Sequence, residues 1–168
     1  MQTIEKTIEV EAPVEKVYNQ WTQFEEFPRF MEGVEKVKQL DDKHLHWVAK
    51  VGGKQKEWDA EILEQVPDER IAWRSTTGAP NSGIVHFQPK DHNHTVVTLQ
   101  MNYQPEGAVE SMGDALGLLS RRIEGDLKRF RDFIQERSTE TGAWRGEIRG
   151  GTKVQPGGQY GTSGKSGV

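Results

Sequence analysis

Histidine and cysteine, the side chains that most often bind metals, are sparse in this chain. It has no cysteine and five histidines, so thiol nucleophiles, zinc–thiolate sites and iron–sulfur clusters are excluded. His44 and His46 lie on the polar side of a predicted strand, and His92 and His94 lie in a predicted turn. A metal site needs three or four ligands that converge. Two separate pairs do not meet that need, and we predict no metal site.

Tyr103 is the best candidate for acid–base chemistry. It shares the alternation of Leu99 and Met101, which predicts that its side chain points to the same apolar side of a strand. Arg74 falls on the polar side of its strand, and Ser75 has no histidine and carboxylate at a recognisable spacing. Nucleophile elbows, phosphate-binding loops and dinucleotide-binding motifs do not occur in the sequence. We therefore predict no cofactor. The sequence gives no positive evidence for an enzyme and favours a non-catalytic protein, with Tyr103 as the best candidate if a reaction occurs.

The strands that would position Tyr103 alternate between apolar and polar residues. Ile4 to Val10 fits a first strand, and turn signals such as Gly52-Gly53 separate the later ones. The positions predicted to face inward are Leu45, Trp47, Ala49 and Val51; Trp58, Ala60 and Ile62; Ile71 and Trp73; Val85 and Phe87; and Val97, Leu99, Met101 and Tyr103. This pattern predicts an antiparallel sheet with one solvated face.

Apolar residues at helical spacing predict three helices. Pro13 stands where a first short helix can begin, and Pro28 should bend or break a second one. The third is an amphipathic helix of about seven turns. The apolar residues are Val14, Val17, Tyr18 and Trp21 for the first helix; Phe24, Phe27, Phe30 and Met31 for the second; and Val109, Met112, Leu116, Leu119, Ile123, Leu127, Phe130 and Ile134 for the third.

The resulting order is one strand, two short helices, six strands and a long helix. A single seven-stranded sheet must cover its apolar face, and the long helix is the element available to do so. A curved sheet around a helix tends to leave a cavity, the default place for a ligand. The expected walls are Trp47, Trp58, Trp73, Phe87, Leu99, Met101 and Tyr103 from the sheet and Met112, Leu116, Leu119 and Ile123 from the helix, with Phe27 and Phe30 at the mouth. The alternative is that these side chains fill the space as an ordinary core.

Four stretches of the sequence resemble a known superfamily. They read VEAPVEKVYNQW at residues 10–21, FEEFPRFM at 24–31, WDAEI at 58–62 and RIAWRS at 70–75. Residues 2–137 resemble the START-like superfamily, also called SRPBCC, in its bacterial polyketide cyclase/dehydrase and lipid transport branch, close to the coenzyme-Q-binding START group. This resemblance implies an α+β helix-grip fold, in which a curved seven-stranded antiparallel sheet wraps around a long C-terminal helix. The superfamily includes binders, carriers and enzymes, so it does not select a function.

Composition divides the chain into three parts. Residues 1–137 are the predicted helix-grip domain, 138–149 a docking or linker segment, and 150–168 a glycine-rich tail with too little apolar surface to order itself. The net charge is −4, and residues 138–168 carry four basic against two acidic residues, which leaves −6 on the domain. An acidic domain argues against nucleic-acid binding. The sequence has neither a run of about 20 apolar residues nor an apolar signal segment, so we expect a cytoplasmic protein without a membrane span.

Three functions remain open at this point. The first is binding or carriage of a small hydrophobic or lipid-like molecule; the coenzyme-Q resemblance implies an isoprenoid quinone as one such ligand. The second is a polyketide cyclase/dehydrase-like enzyme acting on an aromatic or polyketide substrate, with Tyr103 as its acid–base group. The third is a protein-interaction module, because Trp144 and Ile148 are unexpected in a linker. These two side chains either dock on the domain itself or bind a protein partner.

Overall fold

A computed structural model describes residues 2–51, 53–103 and 112–154, without the side chains of residues 2, 51 and 112–116. The strands are β1 (Gln2–Val10), β2 (Val34–Gln39), β3 (His44–Val51), β4 (Lys54–Val66), β5 (Arg70–Gly78), β6 (Asn81–Asp91), β7 (His94–Tyr103), β8 (Glu147–Arg149) and β9 (Thr152–Val154). The helices are α1 (Val14–Trp21), a 3₁₀ helix (Phe24–Arg29) and α2 (Met112–Gln135). The predicted α+β fold is confirmed: an antiparallel sheet is followed by one long helix.

Seven strands form one continuous antiparallel sheet in the order β1-β7-β6-β5-β4-β3-β2. Val51 pairs with Lys54, and Gly53 between them has a φ of +82°, so β3 and β4 are joined where the sequence predicts a turn; Gly52 lies outside the described residues. Side-chain direction follows the predicted alternation, with Leu45, Ala60, Ile62, Ile71, Val85, Val97 and Leu99 all buried. The alternation holds over uninterrupted stretches, whereas irregularities between Asp59 and Ala60 and between Ile62 and Glu64 shift the pairing of β4 with β5.

The helices close one end of this sheet. Pro28 lies within the short 3₁₀ helix, and the chain does not continue as an α-helix beyond Arg29. The aromatic ring of Trp21 on α1 contacts Phe130 on α2, with centroids 4.9 Å apart. Phe30, which follows the 3₁₀ helix, also contacts Phe130 at 5.3 Å. The main hydrophobic core therefore lies where α1, the 3₁₀ helix and the C-terminal half of α2 meet the sheet.

The segment after α2 folds back onto the domain and adds a small hairpin. Ile148 on β8 pairs with Gln65 on β4, and its side chain is 0% exposed. Gly150 and Gly151, with φ of +57° and +76°, make the two-residue turn between β8 and β9. Left-handed residues at both turn positions suit a tight hairpin. The assignment of residues 150–154 to a disordered tail is thus wrong, because these glycines serve a turn; residues 155–168 lie outside the described part.

Candidate functional site

A cavity of about 170 Å³ lies between the concave face of the sheet and α2. A buried water needs only about 10–15 Å³ by the same kind of measure, so this space exceeds a packing defect. The described side chains of the sheet and of α2 from residue 117 onward therefore leave space between them. Its walls are mostly apolar: Trp21, Phe24, Phe27, Met31, Val34, Leu45, Trp47, Ala49, Trp58, Ala60, Ile62, Ile71, Trp73, Ala79, Leu99, Met101, Leu119, Ile123 and Leu127.

Aromatic rings form one wall of the cavity. Trp47 on β3 and Trp58 on β4 are directly paired across the two strands. Their rings stack at 5.6 Å with only 9° between the planes, and Phe27 packs on Trp47 at 5.7 Å. Such pairs stabilise neighbouring strands by about 0.2–1 kcal/mol. They also present a rigid apolar surface to whatever enters the cavity.

Trp73 on β5 is held in place by hydrogen bonding and by an adjacent glycine. Its indole Nε1 donates to Oδ1 of Asn81 at 3.1 Å. The backbone N–H of Asn81 in turn donates to Oγ of Ser75 at 3.0 Å, so Ser75 positions a neighbour. A Cβ on Gly83 would lie 2.6 Å from Cη2 of Trp73. Glycine at position 83 is therefore what allows the indole to lie flat on the strand.

Tyr103, the predicted acid–base candidate, lines the cavity at the end of β7. It pairs with Asn81 across β6 and β7, so the hydroxyl and the amide belong to the same end of the sheet. Within the described part of the chain, the Tyr103 hydroxyl forms no hydrogen bond. That hydroxyl can therefore donate to or accept from a bound molecule.

Charged side chains occupy one edge of the cavity. Lys50, Lys56, Arg122 and Asp126 all line it. Nη1 of Arg122 donates to the backbone carbonyl of Lys50 at 2.8 Å, and Asp126 accepts from the backbone N–H of Glu32 at 3.0 Å. Burial raises the pKa of Asp126, and hydrogen bonding to Arg129 opposes that rise.

The histidines lie away from this cavity. His46 is on the outer face, where Nδ1 contacts Asp59 at 2.7 Å and Nε2 contacts Glu57 at 3.0 Å. These carboxylates raise the pKa of His46. His44 and His94 each contact an aspartate three residues earlier in the chain. In the described part of the chain, no three or more metal-binding side chains come together.

The structure brings most of the predicted wall together. Phe27, Trp47, Trp58, Trp73, Leu99, Met101, Tyr103, Leu119 and Ile123 all line the cavity, while the side chains of Met112 and Leu116 lie outside the described part. Whether any of them contacts a ligand stays a prediction.

Two predicted positions need correction. Phe87 packs between Tyr18 at 5.3 Å and Trp21 at 5.9 Å, because α1 covers that end of the sheet. Phe30 packs on Phe130 and Phe133, each at 5.3 Å, and belongs to the core instead of the mouth.

Apart from Tyr103, sequence reasoning missed the polar residues of the cavity. Asn81 lies in a predicted turn, and Arg122 and Asp126 flank inward positions of α2 by one residue. For Arg122 and Asp126 the one available signal was their position in α2, where each directly precedes a residue of the inward face. A long arginine side chain next to an inward position can reach the boundary of a buried face.

Comparison with known proteins agrees with this architecture. The family model described as polyketide cyclase/dehydrase and lipid transport matches residues 10–131. A 17.2 kDa protein of Streptomyces lincolnensis is 52% identical over 149 residues, which cover 88% of this chain and 99% of that protein.

Solved structures share the fold at low identity. A Thermus thermophilus protein superposes with a TM-score of 0.73 at 22% identity, over 82% of this chain and 100% of that one. The Zhui aromatase/cyclase from a Streptomyces species superposes with a TM-score of 0.70 at 18% identity. The match covers 85% of this chain and 99% of that one. A START superfamily protein from Mycobacterium smegmatis superposes with a TM-score of 0.62 at 15% identity, over 76% of this chain and 97% of that one. At such identities these structures support the fold alone.

Proposed function

This chain belongs to the polyketide cyclase/dehydrase and lipid transport family, and we propose that it binds a small hydrophobic or lipid-like molecule in the cavity between the sheet and α2. The observation that carries the proposal is the cavity itself, which is apolar on nearly all sides and has four of the five tryptophans in its walls. A ligand gains about 25 cal/mol for each Å² of apolar surface that it buries there. The preformed aromatic wall needs no ordering at the moment of binding.

An isoprenoid quinone is one specific candidate for this molecule. Its support is the resemblance of the sequence to the coenzyme-Q-binding START group. A quinone has an apolar tail for the cavity and ring oxygens that can accept a hydrogen bond from Tyr103. Titration with a short-chain quinone tests this candidate, and the absence of saturable binding would remove it.

Native mass spectrometry of the gently purified protein, followed by organic extraction, tests the binding function. We expect a hydrophobic molecule at near-stoichiometric level, and Trp73→Asp should abolish its uptake because a carboxylate in an apolar wall is strongly unfavourable. Leu40→Asp is the matched control, since Leu40 is 55% exposed and does not line the cavity. Uptake that survives Trp73→Asp in a folded protein contradicts the proposal.

A cyclase/dehydrase-type reaction is the second candidate, favoured by the Tyr103 hydroxyl, which has no hydrogen-bond partner among the described residues. A phenol at the cavity wall can donate or accept a proton when a bound aromatic or polyketide substrate folds against it. Tyr103→Phe removes the hydroxyl and keeps the ring, so turnover should fall about 10²–10⁴-fold while ligand affinity changes little. Unchanged turnover in this variant would exclude Tyr103 as the acid–base group.

The segment from Trp144 to Ile148 docks on its own domain: the Trp144 N–H donates to Thr22 Oγ1 at 3.1 Å, and Ile148 is fully buried. A protein partner at this segment, and the cytoplasmic location expected from composition, stay predictions. No helix of the described chain is both long and apolar enough to cross a membrane.

A further inference from the structure

Among the described residues, three basic side chains, Lys50, Lys56 and Arg122, and one acidic side chain, Asp126, line the cavity. Lys50 already pairs with Glu35. Arg122 is the cation whose surroundings in the wall show how it could meet a ligand.

The local backbone specifically accommodates the guanidinium of Arg122. Gly33 has a φ of +117°, a conformation that residues with side chains rarely adopt. A Cβ at that position would occupy the space that Nη1 of Arg122 fills. The same Nη1 donates to the carbonyl of Lys50 at 2.8 Å. Glycine at position 33 and a backbone acceptor together keep the guanidinium at the wall of the cavity.

Arg122 retains hydrogen-bonding capacity in this position. A guanidinium has five N–H donors in a planar fork, and one nitrogen is engaged by the Lys50 carbonyl. The fork matches the two oxygens of a carboxylate, with which arginine forms paired hydrogen bonds. An incoming carboxylate can therefore bind without displacing the existing contact.

The acidic groups near Arg122 are engaged by other side chains. Asp126 accepts hydrogen bonds from the Arg129 guanidinium and from the backbone N–H of Glu32, and its side chain is 13% exposed. The charge of Arg122 also acts on Asp126 and helps to lower its pKa, but that effect is smaller than that of either hydrogen bond. Glu35 lies 3.6 Å from Nζ of Lys50. The guanidinium of Arg122 can therefore bind an additional carboxylate at this edge.

We propose that the ligand is an amphiphilic carboxylic acid, whose apolar body occupies the cavity and whose carboxylate binds Arg122. This inference rests on the proposed hydrophobic-ligand function and deepens it by naming the head group. A preference for a carboxylate distinguishes this site from a pocket that binds any apolar molecule. An ionised acid leaves water only where a fixed cation replaces its hydration.

Calorimetric titration of the full chain with decanoate and with 1-decanol at pH 7.5 tests this proposal. The two probes have the same ten-carbon chain and differ in head-group charge. We expect decanoate to bind at least about tenfold more tightly, and Arg122→Gln to remove about tenfold of that affinity, as loss of a charged hydrogen bond produces. Binding of 1-decanol should stay within about twofold.

Two further variants control this comparison. Arg121→Gln makes the same charge change at the exposed neighbouring residue, which does not line the cavity, and should leave decanoate binding unchanged. Arg122→Lys keeps the charge and loses the planar fork, so its affinity should be intermediate. Near-ultraviolet circular dichroism of each variant shows whether the core is intact.

The outcomes distinguish this inference from the proposed function. Equal binding of decanoate and 1-decanol, or decanoate binding that is insensitive to Arg122→Gln, overturns the carboxylate site and leaves the hydrophobic cavity supported. Binding of neither probe overturns both. Preferential binding of decanoate that depends on Arg122 and not on Arg121 supports both.

Discussion

The two halves of α2 carry the same apolar spacing and pack differently. Leu119, Ile123 and Leu127 are 9%, 6% and 2% exposed and line the cavity, whereas Phe130 and Ile134 are 0% exposed and do not line it. We call residues 117–127 the cavity half and residues 128–135 the packed half. Exposure thus declines steadily along one continuous inward face.

The difference comes from what each half faces. In the packed half, Trp21 and Phe30 reach Phe130 from α1 and from the end of the 3₁₀ helix. In the cavity half, the sheet is the facing element and space remains between them. Close packing needs side chains from both sides. The comparison teaches that an amphipathic pattern predicts which face is buried, while the facing element decides whether that face is filled.

The largest test of this comparison uses the same substitution in each half. Ile134→Ala should destabilise the protein by about 4 kcal/mol, because a close-packed site leaves a new cavity. Ile123→Ala should cost roughly 2 kcal/mol, near the low end for this change, since the side chain already borders open space. Urea denaturation of both variants gives the two free energies of unfolding. Equal losses would show that the two halves pack alike.

A pH experiment on Tyr18 next probes α1, the helix whose Trp21 packs against the packed half. Tyr18 is completely buried on α1, and burial raises its pKa from 10.0 to about 12. Below pH 10 folded and unfolded chains both keep the hydroxyl proton. Between pH 10 and 12 the unfolded chain loses it first, so stability should fall by roughly 2–3 kcal/mol.

Tyr18→Phe isolates this contribution. The Tyr18 hydroxyl is buried and makes no hydrogen bond of ordinary geometry in the described part of the chain, although the nearby Gln65 side chain acts to lower its pKa. Its removal should therefore change stability at pH 7 by no more than about 1 kcal/mol. The variant should lose less stability than the wild type between pH 10 and 12. Thermal denaturation of both proteins at each pH measures this loss. If the wild type and Tyr18→Phe lose the same stability between pH 10 and 12, Tyr18 is not the group that titrates there.

Gly83→Ala examines the wall that the sheet contributes to the cavity, and its effect should be smaller. The new Cβ would meet both the Trp73 ring and the carbonyl of Gln100 at 2.6 Å, so the indole must move and stability should fall by about 1–3 kcal/mol. Because Trp73 lines the cavity, tryptophan fluorescence and ligand affinity should change with it.

Gly117→Ala is the matched control for this substitution. Its Cβ would have only an ordinary contact, 3.7 Å from Nη1 of Arg121, and alanine favours the helix by about 0.5–1 kcal/mol. We therefore expect a modest gain in stability and unchanged fluorescence. A Gly83→Ala protein as stable as the wild type would show that Trp73 is free to relocate.

The sequence predicted the fold in detail wherever a local period sufficed. Alternation placed Trp47, Trp58, Trp73, Met101 and Tyr103 on one face, and the structure has them there. It could not exclude Phe87 from the cavity wall, because Phe87 obeys the same alternation and only the position of α1 covers it.

Glycine content was the least reliable feature for predicting which C-terminal residues are ordered. Gly150 and Gly151 belong to a composition typical of disorder, yet they form a hairpin turn whose first strand buries Ile148. A local composition does not show whether a neighbouring strand is available for pairing. The Gln65–Ile148 pair joins residues 83 positions apart, a contact that no short-range pattern contains.

By itself, the sequence determined β1, the five strands β3 to β7, the helices and their inward faces, because side-chain direction depends on backbone periods of two and 3.6 residues; it assigned no residues to β2, β8 or β9. Only the tertiary structure decided that the inward faces of sheet and helix leave a space at one end, and that Arg122 lies at its edge beside Gly33 and Lys50. Those features depend on the distance between elements far apart in the chain. Side-chain packing sets that distance, and the short-range periodicity of apolar residues does not contain it.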